Sequence, residues 1–243
     1  MKLTKNSLKV LGLLIIIITA GAMMIKEYSV KQKGLSVEDQ QMANYNEAIK
    51  NNPDDADAYN NRGMAYGSQG KHEQSLADFN EAMKINPHDG DTICNRGIAY
   101  LYLKKYDEAT ADLNEAIKIN PQDVTAYRYR GMLYGKLGKD EQAIADYTEA
   151  IKIDPNDTFS YNNRGAIYDK LGKLELAMAD FNEAIRIKPH YASAYVDRGL
   201  AYEKQGKFEE ARKDWEKAVE LQPTDTAGKD AQKNLDRLKK MEK

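Results

Sequence analysis

Apolar and small residues recur at a helical period over most of the chain. Tyr59, Gly63 and Tyr66 stand at i, i+4 and i+7, and Phe79, Ala82, Met83 and Asn86 keep the same period. Each set therefore occupies one face of a helix. Gly70 lies between the two stretches, followed by Lys71. A glycine there supplies a left-handed residue that ends the first helix at little cost. The pattern predicts two amphipathic helices joined by a tight turn. Gly63 and Ala82 let the helix backbones approach, and Tyr59, Tyr66 and Phe79 fill the volume around them.

The same unit returns along the sequence. The six prolines, Pro53, Pro87, Pro121, Pro155, Pro189 and Pro223, are each 34 residues apart, which is the signature of a tandem repeat. In register with them run Arg-Gly pairs (Arg62, Arg96, Arg130, Arg164 and Arg198, each followed by Gly) and tyrosines (Tyr66, Tyr100, Tyr134, Tyr168, Tyr202). An aspartate (Asp78, Asp112, Asp146, Asp180, Asp214), an aromatic or Leu (Phe79, Leu113, Tyr147, Phe181, Trp215) and an Ala (Ala82, Ala116, Ala150, Ala184, Ala218) follow in each unit. Gly138, Gly172 and Gly206 repeat the turn of Gly70. Each proline stops the second helix and suits the turn into the next unit.

This signature of an aromatic, Gly, Tyr, Ala, Phe, Ala and Pro resembles the tetratricopeptide repeat family. Five units match: 56–89, 90–123, 124–157, 158–191 and 192–225. Some positions depart from the family pattern. Arg stands in all five units where the family has Leu before the Gly, Lys104 replaces the turn glycine of the second unit, Ile93 replaces its opening aromatic, and Ser75 replaces a small Ala. Residues 27–55 read as a linker and a partial repeat, in which 37–52 is a second helix, with Tyr45, Ala48 and the following Pro53 in the expected repeat places. Residues 226–243 read as one polar helix with Leu235, Leu238 and Met241, covering the last open apolar face. The resemblance implies an all-α, right-handed superhelical solenoid of helix–turn–helix repeats, with a C-terminal capping helix and an N-terminal hydrophobic helix.

The first 26 residues differ from the rest. Lys2, Lys5 and Lys9 precede an uncharged stretch from Val10 to Ile25, closed by Lys26. The stretch is short against the roughly 20 apolar residues of a spanning helix. Ala20-Gly21-Ala22 would suit signal-peptide cleavage. Both an uncleaved signal-anchor and a cleaved signal peptide remain open. Either predicts repeats facing out of the cytoplasm, on the periplasmic side, as a single-pass membrane protein or a secreted or periplasmic one.

Composition excludes more than it selects. Net charge is -2 and hydrophobic residues make up 42%, which speaks against a general polyanion binder and predicts no nucleic-acid partner. Residues 1–36 carry six basic groups and one acid, residues 226–243 six and three, and the middle 24 and 34. An acidic middle suits a neutral or basic ligand. A single cysteine, Cys94, and three scattered histidines leave no metal-ligand spacing. No phosphate-binding glycine loop, nucleophile–histidine arrangement or cofactor motif is present, because the glycines are repeat positions. The chain is expected to be no enzyme and to need no metal or cofactor.

Two recurrences carry candidate chemistry. The Arg–Asp series predicts ion pairs at the helix interfaces, since a buried arginine needs a paired carboxylate; a ligand-facing row of arginines is the other reading. The second series is Asn61, Asn95, Tyr129, Asn163 and Asp197, each preceded by Asn60, Cys94, Arg128, Asn162 and Val196 in turn. In the family the first helix of each unit lines the concave face. An Asn at the first-named position resembles the asparagine ladder of some members, whose amides both donate to and accept from a peptide backbone. The ladder is interrupted at Tyr129 and ends in Asp197, and a merely exposed polar face is the rival reading. Asn60, Asn61, Asn95, Arg128, Tyr129, Asn162, Asn163 and Asp197 are thus the candidate peptide-binding residues. Met64, Ile98, Met132, Ala166 and Leu200 would form an apolar floor or simply core. Lys136, Lys170 and Lys204 would rim the face. A carboxylate clamp of the kind some members carry is not expected, because its Asn positions are Met, Ile, Ala or Leu here.

The resemblance implies an adaptor or scaffold that holds a peptide or helical segment of another protein in the concave groove. The alternatives are a non-catalytic regulator that recruits an envelope enzyme, a hydrolase or protease, and a homo-oligomeric assembly factor. The membrane, through the N-terminal segment, and a second copy of the chain are further expected partners.

Overall fold

The computed structural model describes residues 36–241, which form twelve helices and no strand among the described residues. They are α1 (Val37–Asn51), α2 (Ala56–Ser68), α3 (His72–Ile85), α4 (Gly90–Tyr102), α5 (Tyr106–Ile119), α6 (Val124–Lys136), α7 (Asp140–Ile153), α8 (Thr158–Lys170), α9 (Leu174–Ile187), α10 (Ala192–Lys204), α11 (Phe208–Leu221) and α12 (Thr226–Met241). The expected apolar segment 10–25 lies outside the described residues. Among the described residues no helix is long and apolar enough to cross a membrane.

Two compact units divide the chain, one up to Ile85 and one from Asn86. In the first, α2 packs against both α1 and α3. In the second, α4 to α11 form four consecutive antiparallel hairpins, each packed on the next, and α12 closes the series against α11 and α10. Helix α1 lies within the stretch expected as a partial repeat, and α12 within that expected as a capping helix.

Local signals explain the boundaries. The second helices end two residues before each proline, at Ile85, Ile119, Ile153, Ile187 and Leu221. The turns inside the hairpins place Gly70, Gly138, Gly172 and Gly206 at φ of 71–73°, and Lys104 adopts φ 60° at the same position. Asp55, Asp89 and Asp123, two residues after a proline, cap α2, α4 and α6 through bonds to Ala58 N, Thr92 N and Ala126 N. These bonds satisfy amides that a helix start leaves open.

The hairpin interfaces are built on small residues facing rings. A Cβ added at Gly165 would lie 2.8 Å from the Phe181 ring, and one at Gly199 would run into the Trp215 indole. Phe181 and Trp215 are completely buried. Trp215 also donates its indole N–H to the Val196 carbonyl at 3.2 Å, so its one polar atom is satisfied inside the core.

The arginine that replaces the family's leucine has a structural explanation. Arg62, Arg96, Arg130, Arg164 and Arg198 each make two parallel bonds, through Nε and a terminal nitrogen, to the aspartate sixteen residues on, at 2.7–2.9 Å. The remaining nitrogen of Arg130 reaches Asn114 on the preceding second helix, that of Arg164 reaches Thr148, and that of Arg198 reaches Asn182. The guanidinium of Arg130 also lies 5.6 Å and 5.8 Å from the centroids of Tyr127 and Tyr134. One side chain thus ties three helices together, which a planar five-donor group does and an ammonium does not. The interface reading of the arginine series holds.

Candidate functional site

In the second unit the first helices of the repeats lie side by side: α4 contacts α6, α6 contacts α8, and α8 contacts α10. The second-series residues Asn95, Tyr129, Asn163 and Asp197 stand one per helix along this array. Their chemistry is uneven.

Tyr129 is half-buried, its ring 6.2 Å from that of Phe159. Phe159 in turn meets Tyr147 edge-on at 6.5 Å. Burial, then the neighbouring Tyr102, pushes the Tyr129 phenol up from its ordinary range. The Arg128 guanidinium lies 5.7 Å from the Phe159 centroid, and its Nε is 2.8 Å from both Asp157 oxygens. That pairing holds Arg128 more firmly protonated. Asn163 donates its amide to Phe159 O of its own helix at 2.8 Å. Asn162 is buried and donates Nδ2 to Asp197 Oδ2 at 2.8 Å, joining α8 to α10. Asn95 is half-buried.

The expected companions separate. Cys94 and Val196 are core, 3% and 7% exposed. Burial, then Asp123, pushes the Cys94 thiol well above its ordinary range, so it is an inert core residue. Leu200 packs on the core around Trp215. Lys170 and Lys204 stand at the end of the array, each held by a carboxylate: Lys170 by Asp140 at 2.8 Å and Lys204 by Asp169 at 2.6 Å. Lys136 is exposed. In the first unit, Asn60 is half-buried and Asn61 is exposed. Asn61 lines a cavity of about 250 Å³ with Glu38, Tyr45, Met64 and Gln69.

Three residues of this face escaped the sequence reading. Asp157 has the helix-start position of Asp55, Asp89 and Asp123 but makes no capping bond to α8; its carboxylate is given to Arg128. Ser160, completely buried, is left with an unpartnered Oγ. Asp169 is an acid at the repeat position where Gly67, Leu101 and Gly135 stand in the first three units, and that break in the pattern was the available signal. Among the described residues no cluster of histidine, cysteine and acids could hold a metal ion.

Comparison with known proteins places the architecture. Tetratricopeptide repeat models match residues 56–89, 91–123, 124–157 and 192–225, and another matches 146–179. A TPR repeat model matches 167–206. The fourth unit, 158–191, is thus covered by models set in a different register. A comparison with curated proteins gives no match. Among solved structures, the chain is similar to YrrB, described as a TPR protein with an unusual peptide-binding site, with 23% identity over 78% of this chain and 97% of that one and a TM-score of 0.55. It is similar to MamA with 25% identity, covering 66% and 94%, at a TM-score of 0.57. It is also similar to TTC0263, a thermophilic TPR protein of Thermus thermophilus, with 21% identity, covering 75% and 98%, at a TM-score of 0.66.

Proposed function

The chain belongs to the tetratricopeptide repeat family, and from that premise we propose that it is a non-catalytic adaptor or scaffold holding a peptide or helical segment of a partner protein along the face of α4, α6, α8 and α10. The observation that carries this reading is the composition of that face. Aromatic and polar side chains, Tyr129, Phe159, Arg128 and Asp197, lie together on adjacent helices, partly exposed and outside the Phe181 and Trp215 cores, with the buried Asn162 behind them. Aromatic surface supplies area at low entropic cost, and fixed polar groups orient a bound backbone. The peptide-binding site in the description of YrrB agrees with this reading.

The asparagine series is uneven in its local bonding. The Asn163 donor is engaged within α8, Tyr129 lies against Phe159, and Asn162 is linked to Asp197 in the third to fifth repeats. Comparative capture tests the proposal. Tagged parent and a Tyr129→Ala, Asn95→Ala variant of matched thermal stability are crosslinked and purified side by side. Partners lost only from the variant support the groove; partners retained equally refute it.

We also propose that the apolar segment 10–25 holds the protein at a membrane with the repeats outside the cytoplasm, its flanking lysines beside anionic headgroups. Protease treatment of intact spheroplasts tests this: repeats digested without lysis support it, and repeats digested only after lysis overturn it. Maleimide labelling of Cys94, otherwise the simplest topology probe, does not serve, because that thiol is buried in the folded protein.

A further inference from the structure

Most of the carboxylates around the α8–α10 contact are paired with cations among the described residues. Asp157 is held by Arg128, Asp140 by Lys170, Asp169 by Lys204, Asp180 by Arg164 and Asp214 by Arg198. Asp197 has no cationic partner among the described residues; its one hydrogen bond comes from the neutral amide of Asn162. Two further acids, Asp169 and Asp230, act on it.

Asn162 is equally incomplete. It is 5% exposed, its Nδ2 is used on Asp197, and its Oδ1 is buried without a hydrogen-bond partner. A buried acceptor left without a donor carries its desolvation cost uncompensated. Asn162 Oδ1 therefore lacks a donor and the Asp197 charge lacks a cation, while Asp197 stays partly open to solvent.

Resting on the reading of this face as a peptide groove, we propose that Asn162 and Asp197 form a receptor for a primary ammonium group on the partner. A planar guanidinium suits both oxygens of one carboxylate, but one Asp197 oxygen is already taken by Asn162. An ammonium directs three donors tetrahedrally and meets single acceptors on two different side chains. The excess of 34 acidic over 24 basic residues between positions 37 and 225 favours the same sign of ligand. A lysine side chain and a free chain N-terminus share this chemistry.

The test uses full-length, amide-labelled protein in non-ionic detergent and n-butylammonium as the first probe. Butylammonium is expected to shift the Asn162 side-chain amide resonance, n-butanol is not, and Asp197→Asn is expected to abolish the shift while leaving thermal unfolding no lower than that of the parent. The absence of a shift, or the same shift in Asp197→Asn, overturns the receptor. Mixtures of twelve-residue peptides then separate the sources: one with a central lysine and blocked ends, one with that lysine acetylated, and one with a free N-terminus and no lysine. At least one ammonium-bearing mixture is expected to bind about 10-fold more tightly than the acetylated one, and Asp197→Asn to erase the difference. Equal binding by all three overturns the inference alone. A butylammonium shift without binding of any peptide leaves the ammonium site standing and overturns the peptide groove.

Discussion

Asn162 Nδ2 meets Asp197 Oδ2 at 2.8 Å across two consecutive repeats, and no cation joins them among the described residues. The carboxylate is consequently unlike the paired aspartates of the hairpin interfaces. Burial, opposed in part by the Asn162 bond and reinforced by Asp169 and Asp230, pushes it from 3.8 to about 6. Between these values the folded protein keeps a proton that the unfolded chain has released, so stability falls as pH rises from 3.8 through about 6. Asp197→Asn removes this dependence. Urea unfolding should show the variant more stable than the parent by about 2 kcal/mol at pH 7.5, the gain shrinking to near zero at pH 4. A loss of stability at pH 7.5 would contradict the unpaired carboxylate.

The interface arginines have the opposite sign. Arg130 and Asp146 are 18% and 6% exposed in their side chains. Burial already pushes the Asp146 carboxyl up, and Arg130 is what lowers it. Arg130→Ala leaves that carboxylate unpaired and should cost about 3 kcal/mol. Arg130→Lys keeps the charge but loses the second parallel bond and the link to Asn114, and should recover only part. Chemical unfolding of the two variants checks the order; an Arg130→Ala variant that unfolds like the parent refutes the interface role.

Arg128 differs from Arg130 in what its removal releases. Asp157, freed from Arg128, stands at the N-cap of α8, where its equivalents bond the helix start, and Ser160 waits with an unpartnered hydroxyl. A recovered cap is worth about 1 kcal/mol. Arg128→Ala should therefore destabilise clearly less than Arg130→Ala in the same unfolding experiment, and Arg128→Ala combined with Asp157→Ala should lose the compensation.

Backbone strain gives a prediction independent of charge. Lys104 holds φ 60° where four other turns use glycine, a conformation costing a Cβ-bearing residue about 1 kcal/mol. Lys104→Gly should raise the unfolding midpoint. Gly165→Ala, whose new methyl meets Phe181 at 2.8 Å, should lower stability by about 1–3 kcal/mol. Thermal melts of the two single variants decide both.

The hairpins were legible because each rests on a local rule repeated with fixed spacing: Tyr59, Gly63 and Tyr66 share a helix face, Gly70 turns the chain, and proline stops the second helix. The Arg62–Asp78 pairing was legible too, since both recur in register. The face of α8 and α10 was harder to read. Asn163 looks like a ladder residue by position, yet its amide turns to Phe159 O in its own helix, a rotamer choice that spacing does not encode. Asp157 looks like a helix cap, yet Arg128 competes for it from the preceding repeat. Asn162 and Asp197 are adjacent only because α8 and α10 stack, and neither residue signals the missing cation by itself.

The central claim is that a partner lies against the α4–α10 face, and site-specific photocrosslinking in living cells tests it most directly. p-Benzoylphenylalanine replaces Tyr129 on that face in one variant and Lys118 on α5, whose side chain is 76% exposed, in another. The account predicts protein adducts from position 129 and none from position 118. Adducts of equal yield from both positions, or from 118 alone, would contradict it.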